Sequence, residues 1–373
     1  MAGRKHTIPE SLRAALKDIG DAPLGSRVDD ALLERTLAGI DTLDPRHVPE
    51  AEQTFANLAD LHSVYWIDTP SFLPARLATW LFESSPKLSR RPFQEQPGRL
   101  RSARRDGAPD IAMLTQQPGL AAIFMRHRNG YVREAALNAL GPASLSPFVF
   151  ASLAYRLNDW VAPVRAAAAA ALARVVPQMP VAAIAEAAPF LIANSSEWGR
   201  WSGYNQILDS LLERQEIALA LADRLVAPSS GGELALLRRL MRRRAIDPIL
   251  PKLAAEARAP AIRALASEAL IVGAAKWPGG FREYWVDKSV GRKGYERLFE
   301  TRPLTIATDC GAALHAAAND RSAVVRKVAA DAVVRGFADG NAADSVVARL
   351  KDDLNPGVRD RIAFVIRQRA ALA

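Results

Sequence analysis

A β-branched residue followed by arginine recurs along most of the chain, and this repeat constrains the fold more than any other feature. The arginines of these pairs are Arg133, Arg165, Arg263, Arg326 and Arg359. Their separations of 32, 98, 63 and 33 residues are about one, three, two and one periods of roughly 32 residues. Small and apolar residues follow each pair at steps of three and four, which places them on one helix face. The period therefore predicts repeated helical units.

An aspartate marks the same position in three of these units, six residues before the arginine. The pairs are Asp159 and Arg165, Asp320 and Arg326, and Asp353 and Arg359. Each aspartate lies in a short polar turn that follows an apolar segment, so the unit is a helix, a turn and a second helix. At the same position before Arg133 and Arg263 the chain has His127 and Ala257 instead.

This pattern resembles the HEAT-repeat family between about Ile111 and Ala373. The resemblance implies an all-α fold, an α-α superhelix in which helical hairpins stack into a solenoid. In that family the turn aspartate and the second-helix arginine form a hydrogen-bonded ladder, so we expect the three Asp–Arg pairs to be structural rather than phosphate contacts. Units expected near residues 198, 230 and 295 are degenerate, with second helices predicted at 203–214, 231–244 and 291–300.

Composition divides the chain into three parts. Residues 1–85 are predicted as a helical N-terminal or capping region, with helices over 28–40, 48–66 and 71–83. Residues 86–109 contain several prolines and arginines, including Arg91, Arg101, Arg104 and Arg105, and are predicted as an exposed basic loop or linker. Residues 110–373 are predicted as the repeat array.

The remaining composition excludes several classes of protein. A single cysteine, Cys310, excludes an internal disulfide framework. No apolar stretch is long enough to cross a membrane and the first residues are polar, so we expect a cytoplasmic protein without a membrane partner. No phosphate-binding glycine loop, zinc-binding histidine pair or nucleophile motif occurs, so we expect no catalytic residues, no metal and no cofactor.

The net charge of +9 is unevenly placed. Arg238, Arg239, Arg242 and Arg243 are predicted to lie on one helix, where i,i+4 spacing would form a basic stripe. Together with Arg126, Arg128 and the 87–105 segment, this stripe could bind an acidic partner or a phosphate backbone. The alternative is an ordinary solvated face.

Aromatic residues cluster twice, in both cases where the repeat pattern fails. Trp198, Trp201 and Tyr204 flank Arg200, and Tyr284 and Trp285 lie beside Asp287. Such clusters could hold a peptide or stack a base. The alternative is packing that repairs an irregular stack.

These features favour a non-catalytic scaffold or adaptor that binds a protein or peptide partner, of acidic character, on its concave surface. The second hypothesis is nucleic-acid binding. The HEAT-like alkylpurine DNA glycosylases use tryptophans and an essential aspartate in a cationic groove, and Asp287 near Trp285 is the candidate here. That family's Trp/Asp motif is not matched residue by residue, so no catalytic role is carried over.

Overall fold

The computed structural model describes residues 8–22, 27–59, 61, 64–68, 99–103, 108–141, 145–194, 198–200, 205–227, 232–337 and 340–372. Within these ranges the chain is mostly helical, with eighteen α-helices and two antiparallel pairs of strands. None of those helices is both long and apolar enough to cross a membrane. The chain divides into two compact units, one of residues 1–179 with 199–204 and one of residues 180–198 with 205–373.

The first unit contains eight of the helices and a short pair of strands. Its helices are α1 (Glu10–Gly20), α2 (Asp30–Asp41), α3 (Val48–Leu58), α4 (Ala108–Gln116), α5 (Ala121–Phe124), α6 (Gly130–Ala139), α7 (Pro147–Tyr155) and α8 (Ala162–Val175). Strands β1 (Val64–Asp68) and β2 (Arg99–Ala103) pair antiparallel, with Val64 opposite Ala103. The fully buried rings of Phe55, Phe148 and Phe150 form part of its core.

Two predictions for this region are wrong in part. The helix predicted over 48–66 ends at Leu58, and β1 occupies residues 64–68. The predicted loop over 86–109 contains β2 and, from Ala108, the start of α4. Four of the five residues of β1 are β-branched or aromatic, a composition that favours a strand over a helix. The helix predicted over 71–83 lies outside the described residues.

The second unit contains the other ten helices and a long β-hairpin. Its helices are α9 (Val181–Asn194), α10 (Asn205–Leu212), α11 (Gln215–Val226), α12 (Glu233–Leu240), α13 (Leu250–Glu256), α14 (Pro260–Val272), α15 (Cys310–Ala318), α16 (Ala323–Val334), α17 (Gly340–Leu350) and α18 (Pro356–Leu372). The hairpin consists of β3 (Ala274–Asp287) and β4 (Arg292–Pro303).

Helices α13 to α18 pack in two neighbouring rows. The second helices α14, α16 and α18 contact one another in chain order, and the first helices α15 and α17 contact each other beside them. Alanines such as Ala264, Ala329 and Ala330 are buried between the helices and allow them to approach closely. Ser322 caps the start of α16, where its side chain accepts a hydrogen bond from the Val324 amide.

The hairpin leaves the helical rows and returns to them at one point. Gly273 ends α14 with a φ of 68°, a left-handed conformation that glycine adopts without a steric penalty. The Leu304 amide then donates to the Gly273 carbonyl at 2.9 Å and closes the neck of the hairpin. The predicted helix over 291–300 is therefore wrong, because these residues form β4. The sequence of this segment has no strict period of two, and it is the pairing with β3 that places it in a strand.

Candidate binding surface on an inserted hairpin

The repeat arginines contact the aspartates of the following turn. Arg133 donates two hydrogen bonds to the Asp159 carboxylate, at 2.9 and 2.8 Å, and one to the His127 carbonyl six residues before it. Arg326 bonds the Asp353 carboxylate at 2.6 and 3.0 Å and the Asp320 carbonyl at 3.0 Å in the same manner. Arg133 and Arg326 therefore hydrogen-bond both to a carbonyl of the turn before their own helix and to the aspartate of the next turn.

Arg263 follows the same rule, although its own turn has no aspartate. It donates to the Asp320 carboxylate at 2.8 and 2.9 Å and to the Ala257 carbonyl at 2.7 Å. Arg165 donates to the Asp159 carbonyl at 2.7 Å, and Arg359 donates to the carbonyls of Asp353 and Leu354 at 2.6 and 3.1 Å; among the described bonds neither reaches a carboxylate. The six-residue spacing therefore reflects an arginine–carbonyl contact, while the carboxylate binds the arginine of the preceding unit.

The Arg263–Asp320 pair also shows that the hairpin is an insertion. These residues are 57 apart in sequence, against 27 for Arg326 and Asp353, a difference of 30. The hairpin from Ala274 to Pro303 is 30 residues long. The 63-residue gap between Arg263 and Arg326, which the sequence interpretation counted as two periods, is therefore one repeat plus this insertion.

The base of the hairpin is anchored by a buried carboxylate. Arg302 donates to both oxygens of Asp247, at 2.7 and 2.8 Å, and Thr305 donates to Asp247 through its amide and its hydroxyl, both at 2.8 Å. Burial alone would raise the pKa of Asp247, but the bonds from Arg302 and Thr305 lower it below its ordinary value. Trp277 is buried beside this anchor and donates its indole N–H to Glu300 at 3.0 Å.

Beyond its base, the hairpin exposes aromatic rings on one face. The strand register places Phe281 opposite Arg297, Glu283 opposite Tyr295, and Trp285 opposite Lys293, with Phe299 opposite Pro278. Opposed residues share a face of the ribbon, so four rings lie on the same side. We call this side the aromatic face; its rings are Phe281, Trp285, Tyr295 and Phe299, between 48% and 66% exposed.

Three basic side chains lie against these rings. The Lys276 ammonium is 4.5 Å from the centroid of Phe299, the Lys293 ammonium is 4.7 Å from that of Trp285, and the Arg297 guanidinium is 5.2 Å from that of Phe281. These distances fall within the range of cation–π contacts. The aromatic face therefore combines flat rings with positive charge.

The carboxylates of the hairpin already have partners within it. Glu283 pairs with Lys293 at 2.5 Å, Glu296 pairs with Arg282 at 2.5 Å, and Glu300 accepts from Trp277. Asp287 accepts from the Ser289 hydroxyl and amide at 2.6 and 2.9 Å, and these bonds lower its pKa. Asp287 thus shapes the turn at the tip of the hairpin.

The positive charges outnumber the negative ones, with seven basic and four acidic residues between 274 and 303. Within the described part of the chain, neither Lys276 nor Arg297 is paired with a carboxylate. The hairpin therefore carries uncompensated positive charge beside exposed rings.

The opposite face of the hairpin is different in character. Tyr284, Val286 and Leu298 are exposed there, between 39% and 50%, and the Arg282–Glu296 pair lies among them. A Cβ atom on Gly294 would lie 2.7 Å from the Tyr284 ring, so only glycine allows the ring to cross β4 at this point. No cation lies over a ring on this face among the described contacts.

The predicted arginine stripe over 238–243 does not form. Helix α12 ends at Leu240, so Arg242 and Arg243 lie in the following turn rather than one helical turn above Arg238 and Arg239. Arg239 donates to the Ile192 carbonyl at 2.8 Å, and Arg243 bonds Asp209 at 2.7 Å. Arg242 donates to the Pro278 carbonyl at 3.2 Å and lies beside the hairpin base.

The other predicted cluster is only partly described. Trp198 is buried, with its ring 6.2 Å from that of Phe190, so it is a packing residue and not a surface anchor. The Arg200 amide donates to the side chain of Asn158 at 3.0 Å. Arg101 lies in β2, where its backbone is opposite Trp66. Trp201, Tyr204, Arg91, Arg104 and Arg105 lie outside the described residues.

Arg126, which the sequence placed with the surface cations, is buried in the first unit. Its guanidinium lies 4.8 and 5.1 Å from the ring centroids of Phe55 and Phe148, and it donates to the Ala122 carbonyl at 2.5 Å. Burial lowers the pKa of Arg126 to about 9. Arg156 shares the nearby carboxylate of Glu52. A charged residue in the core gives no signal in a charge pattern, so the sequence could not show this.

No known protein family, no curated protein and no solved structure matches the chain. Among the described residues, the aromatic face combines exposed rings with basic side chains that have no carboxylate partner.

Proposed function

We propose that the chain is a non-catalytic binding protein, a HEAT-like solenoid that carries a nucleic-acid-binding hairpin. One observation carries this proposal: the inserted hairpin presents exposed rings together with basic side chains, while its own carboxylates are satisfied internally. Rings stack on bases, and unpaired cations attract phosphates.

The insertion supports this assignment over a structural role. The ladder passes from Arg263 to Asp320 without using the hairpin, so the repeats are joined without the part of the hairpin beyond its base, where Arg302 bonds Asp247. A two-stranded ribbon is at best marginally stable in water by itself, and this one exposes large apolar side chains on both faces. Exposed apolar surface of this kind is typical of a surface that a partner covers.

The test is a titration of the full-length chain with labelled oligonucleotides at low salt, followed by fluorescence anisotropy. We expect binding that weakens steeply as salt is added, because bound phosphates release counterions. The double variant Lys276→Gln with Arg297→Gln removes the two unpaired cations of the aromatic face and should weaken binding and flatten the salt dependence.

A matched control removes the same charge elsewhere. Lys327 and Arg367 are exposed on α16 and α18, so Lys327→Gln with Arg367→Gln changes the net charge equally without touching the hairpin. The control should bind almost as well as the parent chain. Absence of binding to both single-stranded and duplex DNA and RNA at low salt would refute the proposed function.

A protein or peptide partner, as the sequence first favoured, is the second candidate. The observation in its favour is the face with Tyr284, Val286 and Leu298, which is apolar and has no stacked cation within the described contacts. A partner bound on the concave surface of the proposed solenoid belongs to this candidate too. An affinity capture whose yield falls in Tyr284→Ala with Leu298→Ala, but not in the cation variant, would favour it.

A further inference from the structure

We infer that the aromatic face binds single-stranded nucleic acid, with one base against each ring. This inference rests on the proposed function, and it specifies the form of nucleic acid that the hairpin accepts.

The order of the rings along the ribbon is the first argument. Going from base to tip, Phe299, Phe281, Tyr295 and Trp285 occupy four successive pairs of the register, on β4, β3, β4 and β3 in turn. Along β4 successive pairs on this face are two residues apart, or about 7 Å at 3.4 Å per residue, while β3 has one extra residue at the bulge between Pro278 and Gly280. The rings thus form a regular zigzag track rather than a cluster.

The spacing of this track distinguishes an extended strand from a duplex. Phosphates of one strand of a duplex follow one another every 3.4 Å or so along the axis, about half the distance between successive rings. In an extended single strand with unstacked bases, the distance between neighbouring bases is longer than in a duplex. Successive bases can therefore lie against successive rings. Its base faces are also free to stack, whereas a duplex presents only base edges in its grooves.

The basic side chains over the rings provide charge for the phosphates of a bound strand. Lys276, Lys293 and Arg297 lie over ring faces where bases would stack. An exposed cation–ring contact is weaker than a base–ring stack, and these side chains are long and flexible. An incoming base can therefore displace each cation from the ring to the neighbouring phosphate, where its charge is satisfied. The fourth ring, Tyr295, has no cation over it among the described contacts, and it lies between Phe281 and Trp285.

The competing occupant is an acidic peptide, which the same cations would attract. An extended peptide also repeats about every 7 Å along one face, but few of its side chains are flat rings that could stack on all four aromatic residues. The regular spacing of the rings favours a polymer of planar groups. The charge favours a polyanion.

The experiment uses the full-length chain and four ligands of equal length: a thymidine oligomer, a uridine oligomer, a DNA duplex and an acidic peptide. The aromatic variant combines Phe281→Ala, Trp285→Ala and Tyr295→Ala. Its control combines Tyr284→Ala and Leu298→Ala, which removes two large exposed side chains from the opposite face. Thermal unfolding followed by circular dichroism establishes that both variants are folded.

We expect the parent chain to bind both single-stranded oligomers at least about tenfold more tightly than the duplex. The aromatic variant should lose about tenfold or more of that affinity, while the control binds like the parent. A shortened hairpin, with residues 279–298 replaced by Asn-Gly, keeps Trp277, Glu300 and Arg302 and should abolish the preference for single strands.

Three results overturn the inference and differ in what they leave standing. Equal or tighter binding of the duplex, unchanged in the aromatic variant, would refute the single-strand site and leave nucleic-acid binding intact. Binding of the acidic peptide with no binding of any oligonucleotide would refute both. Loss of affinity in the control equal to that in the aromatic variant would also refute the assignment of the aromatic face.

Discussion

The ladder and the hairpin use arginine in opposite ways, although they lie next to each other in the same unit. Arg326 is largely buried and bonds both oxygens of Asp353, and these bonds raise its pKa. Arg297 lies on an exposed ribbon over the ring of Phe281. The first arginine holds two repeats together and the second is available to a ligand. The number of arginines in a repeat protein therefore says little about nucleic-acid binding until their partners are known.

The energetic consequences of the two uses differ as well. A buried ion pair with one member removed leaves an uncompensated charge, which is strongly destabilising. An exposed cation–ring contact or ion pair contributes little to the free energy of unfolding. The ladder should therefore respond to substitution through stability, and the hairpin through binding.

Acidification should produce the largest loss of stability, because it reaches several carboxylates together. The pKa values of Asp247, Asp320 and Asp353 all lie below the ordinary 3.8. For Asp247 and Asp320 burial acts to raise the pKa, but hydrogen bonds from Arg302 and Arg263 outweigh this effect. For Asp353 the hydrogen bond from Arg326 is the main cause of the lower pKa. A carboxyl whose folded pKa is depressed contributes stability that is complete above its unfolded pKa and is lost as the pH falls through its folded pKa.

Unfolding by urea at pH 7, 5, 4 and 3 measures this effect. The free energy of unfolding should be lower at pH 3 than at pH 5. A value that stays constant or rises over that interval would contradict the ladder geometry.

Asp353→Asn should have the next largest effect, a loss of about 3–5 kcal/mol in the free energy of unfolding, because it leaves the guanidinium of Arg326 without its counter-charge. Asp352→Asn is the control, since its side chain is exposed one residue away. Urea denaturation of both variants is the measurement. Similar stabilities for the two would show that the ladder contributes little.

Asp247→Asn should cost a comparable amount, about 3–5 kcal/mol, because it likewise leaves a largely buried guanidinium, that of Arg302, without its counter-charge. It should also loosen the hairpin base and weaken oligonucleotide binding, which Asp353→Asn should not do as long as the chain is folded. Binding at a temperature well below the unfolding transition separates the two effects. Glu256→Gln, an exposed change on α13, is the control.

Glu296→Gln should have the smallest effect, below about 1 kcal/mol, because the Arg282–Glu296 pair is exposed. It lies on the opposite face from the rings, so binding of a single strand should change only through the gain of one positive charge. A loss of several kcal/mol would mean that the hairpin contributes to the stability of the helical rows, which contradicts its being an independent insertion.

The repeat arginines could be found from sequence because their signal is local. Each arginine lies at a fixed place in its helix, and its carbonyl partner is always six residues earlier, as in Arg165 and Arg359. The carboxylate partner lies in the next unit, 26 residues beyond Arg133, 27 beyond Arg326 and 57 beyond Arg263, so an insertion between units removes any fixed spacing.

The hairpin escaped prediction for a related reason. Its 30 residues are close to one repeat period, so the gap between Arg263 and Arg326 looked like two ordinary units. Tyr284 and Trp285 were singled out as neighbours, yet they lie on opposite faces of the ribbon. Bulges between Pro278 and Gly280 and between Trp285 and Asp287 shift the register, so pairing of the strands, not spacing in sequence, decides which rings lie together.

The closed neck of the hairpin has a consequence for how such a protein can change. Because Gly273 and Leu304 are hydrogen-bonded to each other, the chain re-enters the helical rows almost where it left them. Any segment whose ends meet in this way could occupy the same position without altering the spacing of the repeats. The ligand and the scaffold can therefore be altered separately, and hairpins with other sequences could be grafted at this junction to give the same framework a new specificity.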